Sequence, residues 1–171
     1  MKTVFIFFIA VLMITLSCKK EEEVPSIPFD EQLAIDLEII DTYLVDNNIE
    51  NVLKDCRTDD VPFGQPCEGY VSYVQHVEGD GLTPPNLGTK VKVSYVGRLL
   101  STGVVFDEND TVDFTLGGLI TGWQAILLDM QEGDSVTMYI PSGYAYGTSG
   151  KGDDIPANSN LIFDMKLHQV N

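Results

Sequence analysis

From Gly69 onward the apolar residues of this chain alternate with a period of two, and that period is interrupted once by a short helical pattern. In "KVKVSYVGRLL" Val91, Val93 and Tyr95 fall on one face and Lys90, Lys92 and Ser94 on the other. "YVSYVQHV" and the short "TVDFTL" have strand character. "SVTMYIP" aligns Val136, Met138 and Ile140, and "LIFDMKLHQV" aligns Leu161, Phe163, Met165 and Leu167. Alternation of this kind marks strands with one buried face. The interruption starts near Gly122 and places Trp123, Ile126, Leu127 and Met130 at helical spacing, with Gly133 as the expected stop. The fold class that follows is α+β: a mostly antiparallel sheet with one short helix laid against it.

An amphipathic helix is expected before this region, over residues 29–46, with Asp30 as N-cap and Leu33, Leu37, Ile40 and Leu44 as its stripe. The stripe requires a surface to pack on, either the following domain or a second copy of the chain in a homodimer. The segment "CRTDDVPFGQPC" between Cys56 and Cys67 is rich in turn formers and is expected to be a loop.

At the N-terminus a single Lys2 precedes an apolar run from Val4 to Leu16, too short for a typical membrane span. Charge, apolar run and the small Ser17 make a secretory signal. The next residue is Cys18, and the arrangement resembles a bacterial lipoprotein signal, which implies lipidation of Cys18; a plain signal peptide is the alternative. Thr15 stands where leucine is commonest in such signals. The following "KKEEEVPSIP" is expected to be a solvated tether, and acidic runs of this kind resemble surface-export signals. Residues 1–17 are thus assigned to the signal, 18–28 to the tether, 29–68 to the helix and loop, and 69–171 to the main domain. In an oxidising compartment Cys56 and Cys67 form an even pair, and a disulfide is the better reading against a redox or metal site. Closing that loop stabilises by about 3 kcal/mol in the chain-entropy model.

The formal charge of −16 argues against nucleic acid as the main partner. Motifs for other chemistry fail on inspection. "DENDTVDFTLGG" has Val112 where a calcium loop needs its turn glycine and Gly118 in place of the closing glutamate. "GTSGKGDD" has Gly152 where a phosphate loop needs Ser or Thr after the lysine. The two histidines, His76 and His168, lie far apart in sequence and mark neither a triad nor a zinc site. No metal and no cofactor are expected.

What remains is an ordered series: "VSYVGRLLSTGVVFDE", then "FTLGGLITGW", then "PSGYAYGTSGKGDDIPANSNLIFDMKL". In order and spacing these resemble the FKBP family of peptidyl-prolyl cis–trans isomerases over roughly residues 69–171. The helix and tether before them resemble the N-terminal extensions of its lipoprotein members. The resemblance implies a twisted antiparallel sheet wrapped around the short helix, with a substrate proline held between them. Carried over residue by residue, Tyr95, Asp107, Trp123 and Tyr146 take the catalytic positions, with Trp123 as the pocket floor. Phe106, Phe114, Leu119, Ile120 and Phe163 take substrate-binding positions. The Tyr146 hydroxyl and the Ile120 N–H are the implied donors to substrate carbonyls, and Asp107 is placed to accept from Tyr95. The loop Glu108–Asp113 departs from the family pattern, being shorter than the common form and without arginine. Lys151, Asp153 and Asp154 replace common flap residues. The implied partners are Xaa-Pro segments of exported or envelope proteins, together with a membrane reached through the lipid. The implied location is the bacterial cell envelope.

Overall fold

In a computed structural model of the protein, the described residues are 27–55, 70–84 and 86–171. Helix α1 spans Phe29–Asp46. Strands β1 (Leu53–Asp55), β2 (Val71–Val77), β3 (Lys90–Leu99) and β4 (Val105–Thr115) follow. Helix α2 is Thr121–Leu127, and strands β5 (Ser135–Ile140) and β6 (Leu161–Val170) complete the order. The six strands form one sheet in the order β1-β2-β5-β6-β3-β4, with every neighbouring pair antiparallel. The fold class expected from the period-two pattern is the one observed.

The core lies between the sheet and α2. Val91, Val93, Met138, Ile140, Leu161, Phe163 and Leu167 point from the central strands toward Trp123, Ile126 and Leu127, and all are buried. Helix and sheet approach closely because Gly122 has no side chain: a Cβ there would stand 2.5 Å from Cγ2 of Ile140.

The opposite face of the sheet is also covered. Ile40 and Leu44 of α1 pack on Leu100, Tyr139 and Ile162, and the Tyr43 and Tyr139 rings lie 6.0 Å apart. The apolar stripe of α1 therefore packs on the chain's own sheet. This explains why the end of β5 and the start of β6 bury both faces, Tyr139 and Ile162 included. Lys54 of β1 pairs with Asp41 of α1 at 3.0 Å, so the segment before residue 69 adds both a helix and an edge strand to the sheet. Beyond the reach of α1 the same face turns polar. Thr137 donates to Asp164 at 2.6 Å, His76 Nε2 lies 2.8 Å from the Thr137 hydroxyl, and Arg98 pairs with Asp164.

Four local expectations are corrected. Asp30 is not the N-cap of α1; Pro28 holds that position without a side-chain hydrogen bond, and Asp30 sits in the first turn, where its charge still favours the positive helix end. The third strand is longer than "TVDFTL", and Glu108–Asp113 is not a loop: β4 runs through it as an edge strand, its exposed polar side chains needing no partner sheet. A bulge opposite Val93 and Tyr95 absorbs the extra length. Leu53–Asp55 pairs as a strand where none was expected. Helix α2 ends at Leu127, well before Gly133. Gly133 (φ +101°) instead turns the chain into β5, beside the buried Asp134, whose carboxylate accepts from the Gln131 N–H at 2.8 Å. Cys18, Cys56 and Cys67, with the signal, most of the tether and the loop, lie outside the described residues.

Because α1 shares a core with β5 and β6, it is expected to unfold with them. Ile40→Ala removes a side chain that is 1% exposed and is expected to destabilise the whole domain by about 2–5 kcal/mol. Denaturant unfolding followed by circular dichroism checks this: one transition should shift as a unit, and a separate early transition for α1 would contradict the shared core.

Candidate active site

Strand register gathers the aromatic residues. Gly97 of β3 faces Asp107 of β4 on one side and Phe163 of β6 on the other. Its missing side chain lets the neighbouring rings meet: a Cβ on Gly97 would lie 2.7 Å from both Phe106 and Phe163. Those two rings pack edge to face, 5.6 Å apart at 85°. Tyr95, two residues earlier on β3, lies 6.3 Å from both Phe114 and Phe163. Trp123 on α2 completes the group. Tyr95, Phe114 and Phe163 stand nearly perpendicular to its indole, at 4.9, 6.0 and 5.0 Å. Such pairs add about 0.5–1.5 kcal/mol each beyond their burial.

These rings enclose a cavity of about 380 Å³, within the range of small-ligand pockets. All nine residues expected at the site line it: Tyr95, Phe106, Asp107, Phe114, Leu119, Ile120, Trp123, Tyr146 and Phe163. They come from three strands, one helix and two turns, so the tertiary fold alone brings them together. Trp123 is 4% exposed and Phe163 3%, which makes them the base of the cavity. The base is formed by aromatic rings and offers little polarity; the indole Nε1 is buried with no hydrogen-bond partner among the described residues.

The polar groups sit around the rim. The Tyr95 hydroxyl donates to Asp107 at 2.9 Å. Burial, then the hydrogen bond to Asp107 and its negative charge, push the Tyr95 phenol up from 10.0 to about 12. Tyr95 therefore stays neutral and keeps its proton directed at Asp107. The Ile120 N–H makes no hydrogen bond among the described residues. Its peptide is held from the other side, because the Gln124 side chain donates to the Leu119 carbonyl at 2.7 Å. In a trans peptide the N–H points away from the C=O, so Gln124 fixes the direction of the free Ile120 donor.

Gly118 and Lys151 also line the cavity. Lys151 donates to the Tyr146 hydroxyl at 3.3 Å, and its Nζ lies 5.0 Å from that ring's centroid. A phenol that accepts from an ammonium retains its own proton for donation. A bridge between Lys151 and Ile155 closes the hairpin that carries the lysine, and Gly150 (φ +62°) leads into it; a Cβ there would strike the Ile155 carbonyl at 2.3 Å. Lys151 was legible as a departure in the flap, though not as a cavity residue. Gly118 gave no signal, since it contributes backbone. Among the described residues no cluster of His, Cys, Asp and Glu could hold a metal ion.

The family model for FKBP-type peptidyl-prolyl cis–trans isomerases matches residues 81–168. Over 110 residues the chain is 34% identical to FK506-binding protein 1 of Saccharomyces cerevisiae, covering 61% of this chain and 96% of that one. Over 97 residues it is 39% identical to a probable FKBP-type peptidyl-prolyl cis-trans isomerase FkpA of Neisseria meningitidis serogroup B, covering 54% of this chain and 35% of the relative. A probable FKBP-type 25 kDa isomerase of Pseudomonas aeruginosa is 38% identical over 98 residues, 57% of this chain and 41% of that one. The chain thus spans less than half the length of these two bacterial relatives. A crystal structure of a peptidyl-prolyl cis-trans isomerase from Pseudomonas syringae is similar, with a TM-score of 0.66 and 26% identity, covering 85% of this chain and 98% of that one. The chain belongs to the FKBP-type peptidyl-prolyl cis–trans isomerase family, and the family that its sequence resembles is borne out.

The Tyr95–Asp107 contact makes a pH prediction. A phenol whose folded value lies above its unfolded one adds stability in full below about pH 10, and loses it as the pH rises through about 12. Asp107→Asn is expected to lower the Tyr95 value toward 10 but leave it above, since burial is the larger cause. Carbon NMR of labelled tyrosine rings checks this. Tyr95→Phe assigns the signal, because burial beneath α1 also pushes Tyr139 up to about 12.

Proposed function

We propose that the cavity accelerates cis–trans isomerisation of Xaa-Pro bonds in exported or envelope proteins. The observation that carries this reading is the cavity itself: an aromatic base of low polarity with two donors on its rim, the free Ile120 N–H and the Tyr146 hydroxyl.

Rotation about a peptide bond faces a barrier of about 18–20 kcal/mol, because amide resonance must be broken. Uncatalysed Xaa-Pro isomerisation takes about tens to hundreds of seconds. No bond is cleaved, so the reaction needs no nucleophile. The twisted amide has lost resonance and is less polar than the planar one. A water-poor aromatic cavity favours it over the planar amide, which is preferential binding of the transition state. In this reading the proline ring rests on Trp123, and Tyr95, Phe106, Phe114, Leu119 and Phe163 form the walls. The Ile120 N–H and the Tyr146 hydroxyl each donate to a substrate carbonyl, so one side of the bond is fixed while the other turns. Asp107 orients Tyr95 and adds a local negative charge; it is not assigned proton transfer. The residues that line the cavity all lie within 69–171.

The envelope location rests on the leader. Charge, apolar run and Ser17-Cys18 support a lipid anchor on Cys18, the acidic residues after it a tether, and Cys56 with Cys67 a disulfide in an oxidising compartment. Among the described residues no helix is long and apolar enough to cross a membrane.

Magnetisation-exchange NMR on an Xaa-Pro peptide tests the activity. The protein is expected to speed exchange, and Tyr146→Phe to lower kcat/KM by about five- to tenfold, the worth of one lost hydrogen bond. Peptide binding without faster exchange would replace the enzyme reading with that of a proline-binding module. The anchor has its own test: in a bacterial host, metabolic labelling with a fatty-acid analogue should mark the chain, and Cys18→Ser should abolish the label. A labelled Cys18→Ser chain would refute anchoring at that cysteine.

A further inference from the structure

Helix α1 lies outside the residues matched by the family model, yet one of its side chains reaches the segment that carries Tyr146. Asp36 is 1% exposed. Its carboxylate accepts from the Ser142 N–H at 2.9 Å, the Ser142 hydroxyl at 2.6 Å and the Gln32 side-chain amide at 2.9 Å. Ser142 is fully buried and opens the 3₁₀ turn Ser142–Tyr144. The Ser142 N–H is shared with Asn160 Oδ1, also at 2.9 Å. Two further contacts from outside the matched residues clamp the same turn. Phe29 packs edge to face on Tyr144 at 6.0 Å, over Gly143, where a Cβ would lie 2.6 Å from the Phe29 ring. Tyr70 stacks on Tyr144 at 5.3 Å. Tyr146 follows the clamped turn by two residues and enters the cavity wall.

A carboxylate removed from water is costly unless donors surround it. Apolar packing of α1 on the sheet already holds the helix in place, and a buried charge adds little to that. What the carboxylate adds is direction, since its hydrogen bonds fix both the backbone and the side chain of one residue. We infer that Asp36 is a positioning residue for catalysis, fixing the Ser142–Tyr144 turn so that the Tyr146 hydroxyl stands over the cavity. The inference rests on the proposed isomerase reading for its kinetic consequence and on geometry alone for its effect on peptide binding. The N-terminal extension is then a working part of the site.

The test is a double-mutant cycle on the full-length chain, purified in detergent. Asp36→Asn and Ser142→Ala are each made alone and together with Tyr146→Phe. Peptide affinity and kcat/KM for an Xaa-Pro peptide are measured below the unfolding transition of every variant. Asp36→Asn is expected to lower kcat/KM by about five- to tenfold when Tyr146 is present, the worth of one hydrogen bond. It should cause no further loss when Tyr146 is already Phe, because the group it positions is gone. Ser142→Ala is expected to show a smaller loss with the same non-additivity, and decides the matter if Asp36→Asn does not fold. Equal losses in both backgrounds would show a general structural role and overturn the inference, as would unchanged kinetics and affinity in Asp36→Asn and Ser142→Ala. If the parent chain binds peptide without accelerating exchange, the isomerase reading fails and the affinity cycle alone decides the positioning role by the same criterion. A parent chain that neither binds nor accelerates overturns both.

Discussion

The cavity depends on how closely α2 approaches the sheet. Gly122 brings the helix against Ile140, and this contact sets the depth at which Trp123 meets Phe163 and Tyr95. A bulkier residue at that point would lift the indole off the strands and open the base of the cavity to water. Gly97 sets a second spacing, between strands, by leaving room for Phe106 and Phe163 to touch. The site is therefore built from two absences of side chain, with large rings filling the space on either side. Its residues are core and cavity lining at once, so disturbing the packing there disturbs the cavity as well.

The polar groups follow a different logic, since each is fixed by a neighbour that is not itself a donor to the cavity. Gln124 holds the Leu119 carbonyl and so turns the Ile120 N–H outward. Burial and the hydrogen bond that Tyr95 donates to Asp107 keep that phenol neutral. Lys151 donates to Tyr146, leaving that hydroxyl its own proton. In the proposed isomerisation, a donor already oriented need not reorganise when charge redistributes in the twisting amide, and preorganisation of this sort is where electrostatic catalysis draws its strength.

Much of this was legible in the sequence because it is written with short periods. Alternation in β3, β5 and β6 reported the sheet, and the ordered aromatics reported the cavity through their resemblance to one family. What stayed hidden was tertiary. A period-two pattern does not say that the second face of β5 and β6 will be covered, so the burial of Tyr139 and Ile162 followed only once α1 was in place. β4 looked short because an edge strand with polar side chains loses the alternation that reveals strands. Asp36 is the clearest case of a tertiary role. It lies three residues after Leu33 and four before Ile40, inside the apolar stripe rather than across from it. A charged residue in such a stripe signals a buried hydrogen-bond network, though its partner, Ser142, lies too far along the chain for any local pattern to name.

Trp123 carries a consequence of another kind. It is the one tryptophan in the chain, and it forms the base of the cavity with its Nε1 unpartnered among the described residues. Indole emission depends on the polarity and hydrogen bonding around the ring, so the tryptophan fluorescence of this protein, excited to the red of its seven tyrosines, comes from a single known place. A peptide entering the cavity would displace water from that ring and change its colour and yield without any added label. The same position makes emission an ambiguous reporter of folding, because an emptied cavity and a loosened core would both redden the same chromophore.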